Sequence, residues 1–373
     1  MAKRSNGEGS IYQRKDGRWC ASLSIGRGKR KHFLGKSRPE VSRKLIAALK
    51  ARDDGLPTVT ERQSVAQFLK SWLEAVRPSI RERTCARYEQ YVRLHAVPDL
   101  GKIPLTRLTP QHLQRLYSDR LNAGLSATTV HHLHAMLHSA LDQAVRWTLV
   151  PRNVADLVDP PRMCRHDIST LGPEQAHVLL DAAAGDRLEA LYVLALTTGM
   201  REGEILGLKW RDVDFAGRAV EVRGSLQRVP SGLVLAEPKT DRSRRHIGLT
   251  ETALVALRQH RALQATERLR LGAAWRNELD FVFVDETGSP IEATRFLRTS
   301  FKPLLKAAGL PKIRFHDLRH SAATLLLGRG IHPKIVSEML GHSQIAITLD
   351  LYSHVTPTMQ REATDAMDAI VRR

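Results

Sequence analysis

Arg201, Lys239, His316, Arg319, His342 and Tyr352 lie in four short stretches of the second half of the chain. These are TTGMREGEILGLKW (197–210), EPKTDRSRRHIGL (237–249), RFHDLRHSAATLL (314–326) and MLGHSQIAITLDLYSHV (339–355). Together they supply two guanidinium groups, one ammonium, two imidazoles and a phenol. That set can attack a phosphodiester without a metal ion. The phenol of Tyr352 is a nucleophile. Arg201 and Arg319 can hold phosphate oxygens through paired hydrogen bonds and offset charge that grows in the transition state. Lys239 can protonate the leaving oxygen, and a histidine can take the phenolic proton.

The third stretch opens a helix whose first turn carries His316, Arg319 and His320. Positive charge is disfavoured there, because the helix dipole is already positive at that end. Something negative is therefore expected nearby: a structural carboxylate, with Asp317 or Glu338 pairing Arg319, or a phosphate. Arg201 stands two residues after Gly199 at a helix start, with Glu204 one turn later as a carboxylate clamp. Lys239 falls in a turn between two predicted strands. Each site has a plain alternative: a surface lysine, a capping histidine, an ordinary tyrosine. His131, His134 and His138 share a helix face and could hold a metal, but no HExxH is present and no carboxylate accompanies them by sequence. A polar, DNA-facing surface is the competing reading.

The elements that must position these groups come in three blocks: 1–56, 61–152 and 168–373. The first holds 15 Lys/Arg against 5 Asp/Glu, and so carries over half of the chain's net charge of +19. Such a balance predicts a polyanionic partner, most often nucleic acid. A membrane-surface role has no lipidation motif or long basic amphipathic end behind it. Trp19, Ala21, Leu23 and Ile25 alternate, with KDG and GRGK as turns, so short strands are expected. A helix over 38–50 follows, with Val41, Leu45 and Leu49 on one face. Arg14, Lys15, Arg18, Arg27, Lys29, Arg30 and Lys31 are the DNA-binding candidates of this module.

The second block reads as helices broken near Pro78, near Pro98–Pro104 and at 122–124. In one of them Val130, Leu133, Leu137, Ala140, Leu141 and Ala144 form the apolar stripe, and Ser126 is the N-cap. The third block mixes helices with strands at 219–250 and an apolar run, FVFVD, at 281–285. The fold class is therefore multidomain and mainly α with small β-sheets. The N-terminus has no signal-peptide core, no apolar run reaches membrane-span length, and Cys20, Cys85 and Cys164 show no CxxC spacing. A cytoplasmic protein with reduced thiols is expected.

In order and spacing, Arg201 in TGxRxxE, Lys239 in PKT, His316 and Arg319 in HxLRH, His342 in LGH and Tyr352 resemble the tyrosine recombinases. The phage and mobile-element integrases are the nearest group, and the resemblance spans nearly the whole chain. It implies a site-specific recombinase in which Tyr352 forms a 3′-phosphotyrosyl link to DNA and frees a 5′-hydroxyl, with no metal, ATP or other cofactor. It makes Arg201 and Arg319 the phosphate clamp, Lys239 the general acid and His316 the proton acceptor. It makes His342 a phosphate hydrogen-bond donor and Glu204 a support for Arg201. It casts 1–56 as an arm-type DNA-binding domain, 61–152 as a helical core-binding domain and 168–373 as a mixed α/β catalytic domain. It implies core and arm-type DNA sites and a homotetramer on DNA in the bacterial cytoplasm, at the nucleoid. It also admits a host DNA-bending protein and a directionality factor. In the C-terminal tail Ala363, Met367 and Ile370 sit at helical spacing, fit for docking on a neighbouring subunit or on their own domain. The competing functions are a non-enzymatic DNA-binding regulator, a topoisomerase-like relaxing enzyme and a metal-dependent nuclease.

Overall fold

A computed structural model of the chain describes residues 9–24, 30–53, 63–163, 169–237 and 244–341, and parts of the tail (345, 348, 349, 364, 365 and 367–372). The chain divides into two compact units, Met1–Arg165 and His166–Arg373.

The first unit contains two separate apolar cores. The smaller belongs to an antiparallel meander of β1 (Ser10–Gln13), β2 (Trp19–Ser24) and β3 (Arg30–Gly35), backed by α1 (Arg38–Asp53). Ala21 and Leu23 meet Val41 and Leu45 of the helix, with Trp19 packed beside them, as the alternation predicted. Ile25 lies outside the described residues. Cys20 and Ser22, on the other face, are also buried because β2 is the central strand. The β1–β2 turn is held by Arg14 and Gly17 backbone bonds, with Gly17 at φ 78° and the Asp16 carboxylate accepting from the Arg18 amide. A left-handed position there favours glycine.

The larger core belongs to a helical bundle: α2 (Val65–Val76), α3 (Glu82–Tyr91), α4 (Val97–Leu100), α5 (Pro110–Asn122) and α6 (Ala127–Arg146). All six positions of the predicted α6 stripe are buried, and the Ser126 hydroxyl accepts from the Thr129 amide at 3.2 Å. Pro98 does not break its helix. A single π turn over Val92–Ala96 joins α3 to α4, and Pro98 sits in the first turn of α4, where an amide hydrogen is dispensable. The break expected near Pro98–Pro104 falls inside that range, at Gly101, whose amide donates to the Val97 carbonyl.

The second unit runs α7 (Pro173–Ala183), α8 (Glu189–Thr198), α9 (Glu202–Leu206), β4 (Val213–Asp214), β5 (Ala219–Val222), β6 (Ser225–Val229), β7 (Gly232–Ala236), β8 (Arg245–Gly248), α10 (Glu251–Leu271), α11 (Ala293–Phe296), α12 (Lys302–Ala307), α13 (Phe315–Gly328) and α14 (Pro333–Leu340). Strands β4, β5 and β8 form one antiparallel sheet, while β6 and β7 form a separate hairpin. The core wraps α8, whose residues from Ala190 to Leu196 are all buried against α7, α10 and α13. The FVFVD run is buried through its four apolar residues, but it makes only single bridges, Lys209 to Phe281 and Val284 to Pro290. His260 and Gln264 of α10 and the Arg187 guanidinium take up its carbonyls, which spares it a strand partner. Among the described residues no helix is long and apolar enough to cross a membrane.

Candidate active site

The packing of α8, α9, β8, α13 and α14 brings two arginines, Arg201 and Arg245, onto the Glu204 carboxylate, with Arg319 nearby. Helix α8 ends at Gly199, in the left-handed region at φ 59°, and the chain re-enters α9 with Arg201 as its N-cap. Glu204, three residues on, turns back. Its Oε2 accepts from the Arg201 amide at 2.9 Å and its Oε1 from Arg201 Nη1 at 2.7 Å. The carboxylate clamp expected from the spacing is therefore present. Arg201 Nη2 donates to the Gly341 carbonyl at 3.1 Å, just past α14. Its side chain stays 39% exposed, so part of the guanidinium faces solvent.

Arg319 is buried in α13, which packs on α8. Its Nη1 donates to the Gly199 carbonyl at 2.8 Å, and its Nη2 is buried without a hydrogen-bond partner among the described residues. An unsatisfied buried donor costs about 1–3 kcal/mol, more when charged, so this nitrogen is poised to take an acceptor. Burial first, then the charge of Arg201, pushes the Arg319 guanidinium down to about 9, with Glu204 opposing and Arg245 adding to the shift. It remains charged at neutral pH.

The cationic helix start resolves into two parts. Asp317 is the negative group, but it serves Arg314: the carboxylate takes the Arg314 amide at 2.8 Å and Nη2 at 2.8 Å. Burial would raise the Asp317 carboxyl, and the Arg314 contacts outweigh it and hold the group below its usual range. The ion pairs of Arg319 with Asp317 or Glu338 are thus not made among the described residues. His316 keeps an exposed edge. Desolvation, followed by His320, Arg319 and Arg314, pushes its imidazole down to about 4, so it is neutral at pH 7 and able to accept a proton. His320 stands edge-on to His316 at 4.8 Å between ring centroids, half-buried, with its Nδ1 unpartnered among the described residues.

Sequence reasoning missed Arg245. It lies six residues after Lys239 in the same stretch, EPKTDRSRRHIGL (237–249). The signal was available: β8 alternates, so Arg245 and Ile247 point inward while His246 and Gly248 point out. Arg245 Nη2 and Nη1 donate to Glu204 Oε2 and Oε1 at 2.8 and 3.2 Å, and Nε to the Met339 carbonyl at 2.8 Å. Both partners of this ion pair are at most 7% exposed in their side chains. Burial would raise the Glu204 carboxyl, but Arg245 and Arg201 prevail and hold it below the usual range. Removing one member of such a pair costs about 3–5 kcal/mol, because the other charge is stranded.

Lys239, His342 and Tyr352 lie outside the described residues, as do Arg27, Lys29, Cys164 and Ala363. Chain position alone places Lys239 between β7 and β8, and His342 directly after Gly341. Of the N-terminal candidates, Arg14, Lys15 and Arg18 are exposed at the β1–β2 turn and Arg30 is exposed at the start of β3. Lys31 is half-buried, with Nζ 5.5 Å from the Phe33 ring centre.

The histidines of α6 separate in role. His134 Nδ1 meets the Tyr117 hydroxyl at 3.1 Å. His138 stands between Asp142 and Asp156, at 3.4 and 2.8 Å. Carboxylates therefore do accompany His138, contrary to the sequence expectation: one is a helical turn away, and the other is brought in by the 3-10 turn Val154–Leu157.

A guanidinium cluster with one open, buried donor and a neutral imidazole beside it is fit to hold an anionic group such as a phosphate. Comparison makes this specific. Residues 169–359 match the phage integrase family, and residues 64–121 match the phage integrase N-terminal SAM-like domain. The chain belongs to the phage integrase family of tyrosine recombinases, and it is a site-specific recombinase that cleaves and rejoins DNA. The tyrosine recombinase XerC-like protein of Caldanaerobacter subterraneus subsp. tengcongensis is 31% identical over 99% of each chain. In fold, the Tn1549 transposon integrase in complex with transposon right end DNA superposes with a TM-score of 0.69 at 24% identity, over 81% of this chain and 99% of that one. A lambda integrase tetramer bound to a Holliday junction gives 0.60 at 18%, over 94% and 96%. A regulator or a relaxing enzyme is not favoured by this company.

Proposed function

We propose that Tyr352 is the nucleophile, attacking a phosphorus in duplex DNA. The phenolic oxygen bonds to phosphorus, the bond to the 5′ oxygen breaks, and a 3′-phosphotyrosyl link remains. His316 takes the phenolic proton and Lys239 gives one to the departing 5′ oxygen. A 5′-hydroxyl from a partner duplex then reverses the ester. The phosphoester is exchanged rather than hydrolysed, so no ATP is consumed. Arg201 and Arg319 clamp the phosphate, Glu204 holds Arg201, and His342 adds a hydrogen bond. The observation that supports this reading most is the buried Nη2 of Arg319, unpartnered among the described residues, beside a partly exposed Arg201.

The division of labour follows the same reading. Residues 168–373 carry the chemistry, 61–152 grip the core site and 1–56 bind arm-type sites through the exposed arginines of the small sheet. The working assembly is a homotetramer on DNA in the host cytoplasm, with a host DNA-bending protein and a directionality factor as accessory partners. Met367 and Ile370 are 58% and 76% exposed, which favours docking of the tail on a neighbouring subunit. Deleting 357–373 is expected to abolish synapsis while leaving single-site binding, and intact synapsis would refute that docking.

The deciding experiment uses nicked duplexes made from DNA flanking the gene. Wild-type protein should become covalently joined to one strand, and Y352F should not. An adduct with Y352F would overturn the mechanism.

A further inference from the structure

Arg245 has no part in the reaction above, yet it is the most buried charge contact of the site. Glu204 has two oxygens and roughly four lone-pair positions. Its Oε1 serves Arg201 Nη1 and Arg245 Nη1, and its Oε2 serves the Arg201 amide and Arg245 Nη2. The carboxylate is full. Arg245 takes the two-pronged geometry that arginine and carboxylate prefer, and Arg201 is left with a single guanidinium bond to Glu204. Its other bond goes to the Gly341 carbonyl, and the remaining N–H groups have no protein acceptor among the described residues.

We propose that Arg245 is a positioning residue: by saturating Glu204 it stops the Arg201 guanidinium from closing onto that carboxylate, and so reserves Arg201 for the scissile phosphate. The inference rests on Arg201 being a phosphate clamp. Without Arg245, Glu204 would be a buried carboxylate with one guanidinium in reach, and the two would close into a two-pronged pair that leaves Arg201 fewer N–H groups for a phosphate.

A second feature points the same way. Arg245 Nε holds the Met339 carbonyl, and its side chain lies against Gly341, where a Cβ would come within 3.0 Å of Cδ and 3.1 Å of Cζ. Gly341 also sits at φ 68°. Arg245 thus fixes the turn whose carbonyl carries the other Arg201 bond. The ring Arg201–Glu204–Arg245–Gly341 ties α9, β8 and the end of α14 together. By chain position, β8 follows the segment with Lys239, and Gly341 precedes His342.

The test is single-turnover cleavage by the full chain at saturating protein, on the nicked duplexes that trap the adduct, with affinity measured by gel shift. R201A, R245M, R245K, E204Q and the double variant E204Q/R245M are compared. R245M should cleave ~10–10²-fold more slowly, somewhat less than the loss of a whole transition-state donor, with affinity nearly unchanged. E204Q/R245M should recover several-fold over R245M, because a neutral amide no longer captures Arg201. A merely structural arginine would also be relieved in the double variant, since the stranded carboxylate is gone, but its gain in rate would then vanish once rates are taken per folded protein from melting. If melting shows R245M unfolded, R245K and E204Q/R245K are judged by the same comparison. R245M cleaving like wild type, or a double variant at or below the single per folded protein, would overturn the inference while an inactive R201A upheld the clamp. R201A cleaving like wild type would instead sink the clamp itself.

Discussion

Two basic regions of this chain use arginine in opposite ways. The N-terminal sheet presents Arg14, Arg18 and Arg30 to water, over a small core whose buried apolar residues, among the described ones, are Ala21, Leu23, Val41 and Leu45. Their partners are modest: Arg18 meets Asp16 across an exposed gap of 3.3 Å, a contact worth little. The site around Glu204 buries its guanidinium groups wholly or in part and holds each at a defined carbonyl or carboxylate. Exposed charges act together through long-range attraction, and each can be removed at small cost. Desolvated charges act singly through geometry, so each removal costs much. On the function proposed above, the first arrangement suits affinity to a polyanion and the second suits the transition state of a single phosphate.

The comparison makes graded predictions. Arg319→Met should lower single-turnover cleavage by ~10²–10³ with little loss of DNA affinity by gel shift. A parallel fall in affinity would erase the distinction between the two regions. Gly199→Ala comes next. It forces a left-handed position and drives a Cβ into Leu340, so a stability loss of about 1–3 kcal/mol is expected in thermal or denaturant unfolding. Cleavage should fall further than stability explains, because the Gly199 carbonyl anchors Arg319.

The third concerns pH. His316 drops from an ordinary value of 6.5 in the unfolded chain to about 4 in the folded one. The unfolded state therefore binds the proton more readily between these values, and folding stability falls as pH drops from 6.5 towards 4. Melting curves of His316→Gln across this window should slope less than those of wild type. A residual slope should persist from His95, His134, His260 and His320, whose imidazoles burial also lowers. The smallest effect per residue belongs to the sheet. The combined variant Arg14→Ala, Arg18→Ala and Arg30→Ala should flatten the dependence of log affinity on log salt by about one unit for each phosphate it no longer neutralises. Its cleavage rate at saturation should not change. A drop in that rate would mean that the sheet shapes the chemistry as well as the binding.

Much was legible in the order of residues. Period-two alternation placed Ala21 and Leu23 against a helix, and the 3.6-residue stripe from Val130 to Ala144 placed the long helix of the bundle, with Ser126 as its cap. Both are local patterns, set by one element and the side it buries. The Glu204 clamp on Arg201 was also legible, because three residues span less than one helical turn. The break near Pro98–Pro104 was legible too; only its exact place, Gly101, was not, because the π turn before Pro98 moves the proline to a first turn where it is tolerated.

By itself, then, the sequence determined the kinds of chemical group available, the elements that carry them and the family they resemble. Those follow from side-chain type and spacing along one strand or helix. Only the tertiary structure decided which arginine faces which oxygen. Asp317 turned out to belong to Arg314, Arg319 to the end of α8, and Arg245 to Glu204, 41 positions away in the chain. Such pairings are chosen by the cost of burying a charge unpaired, which depends on what packs above it in three dimensions and on nothing next to it in sequence.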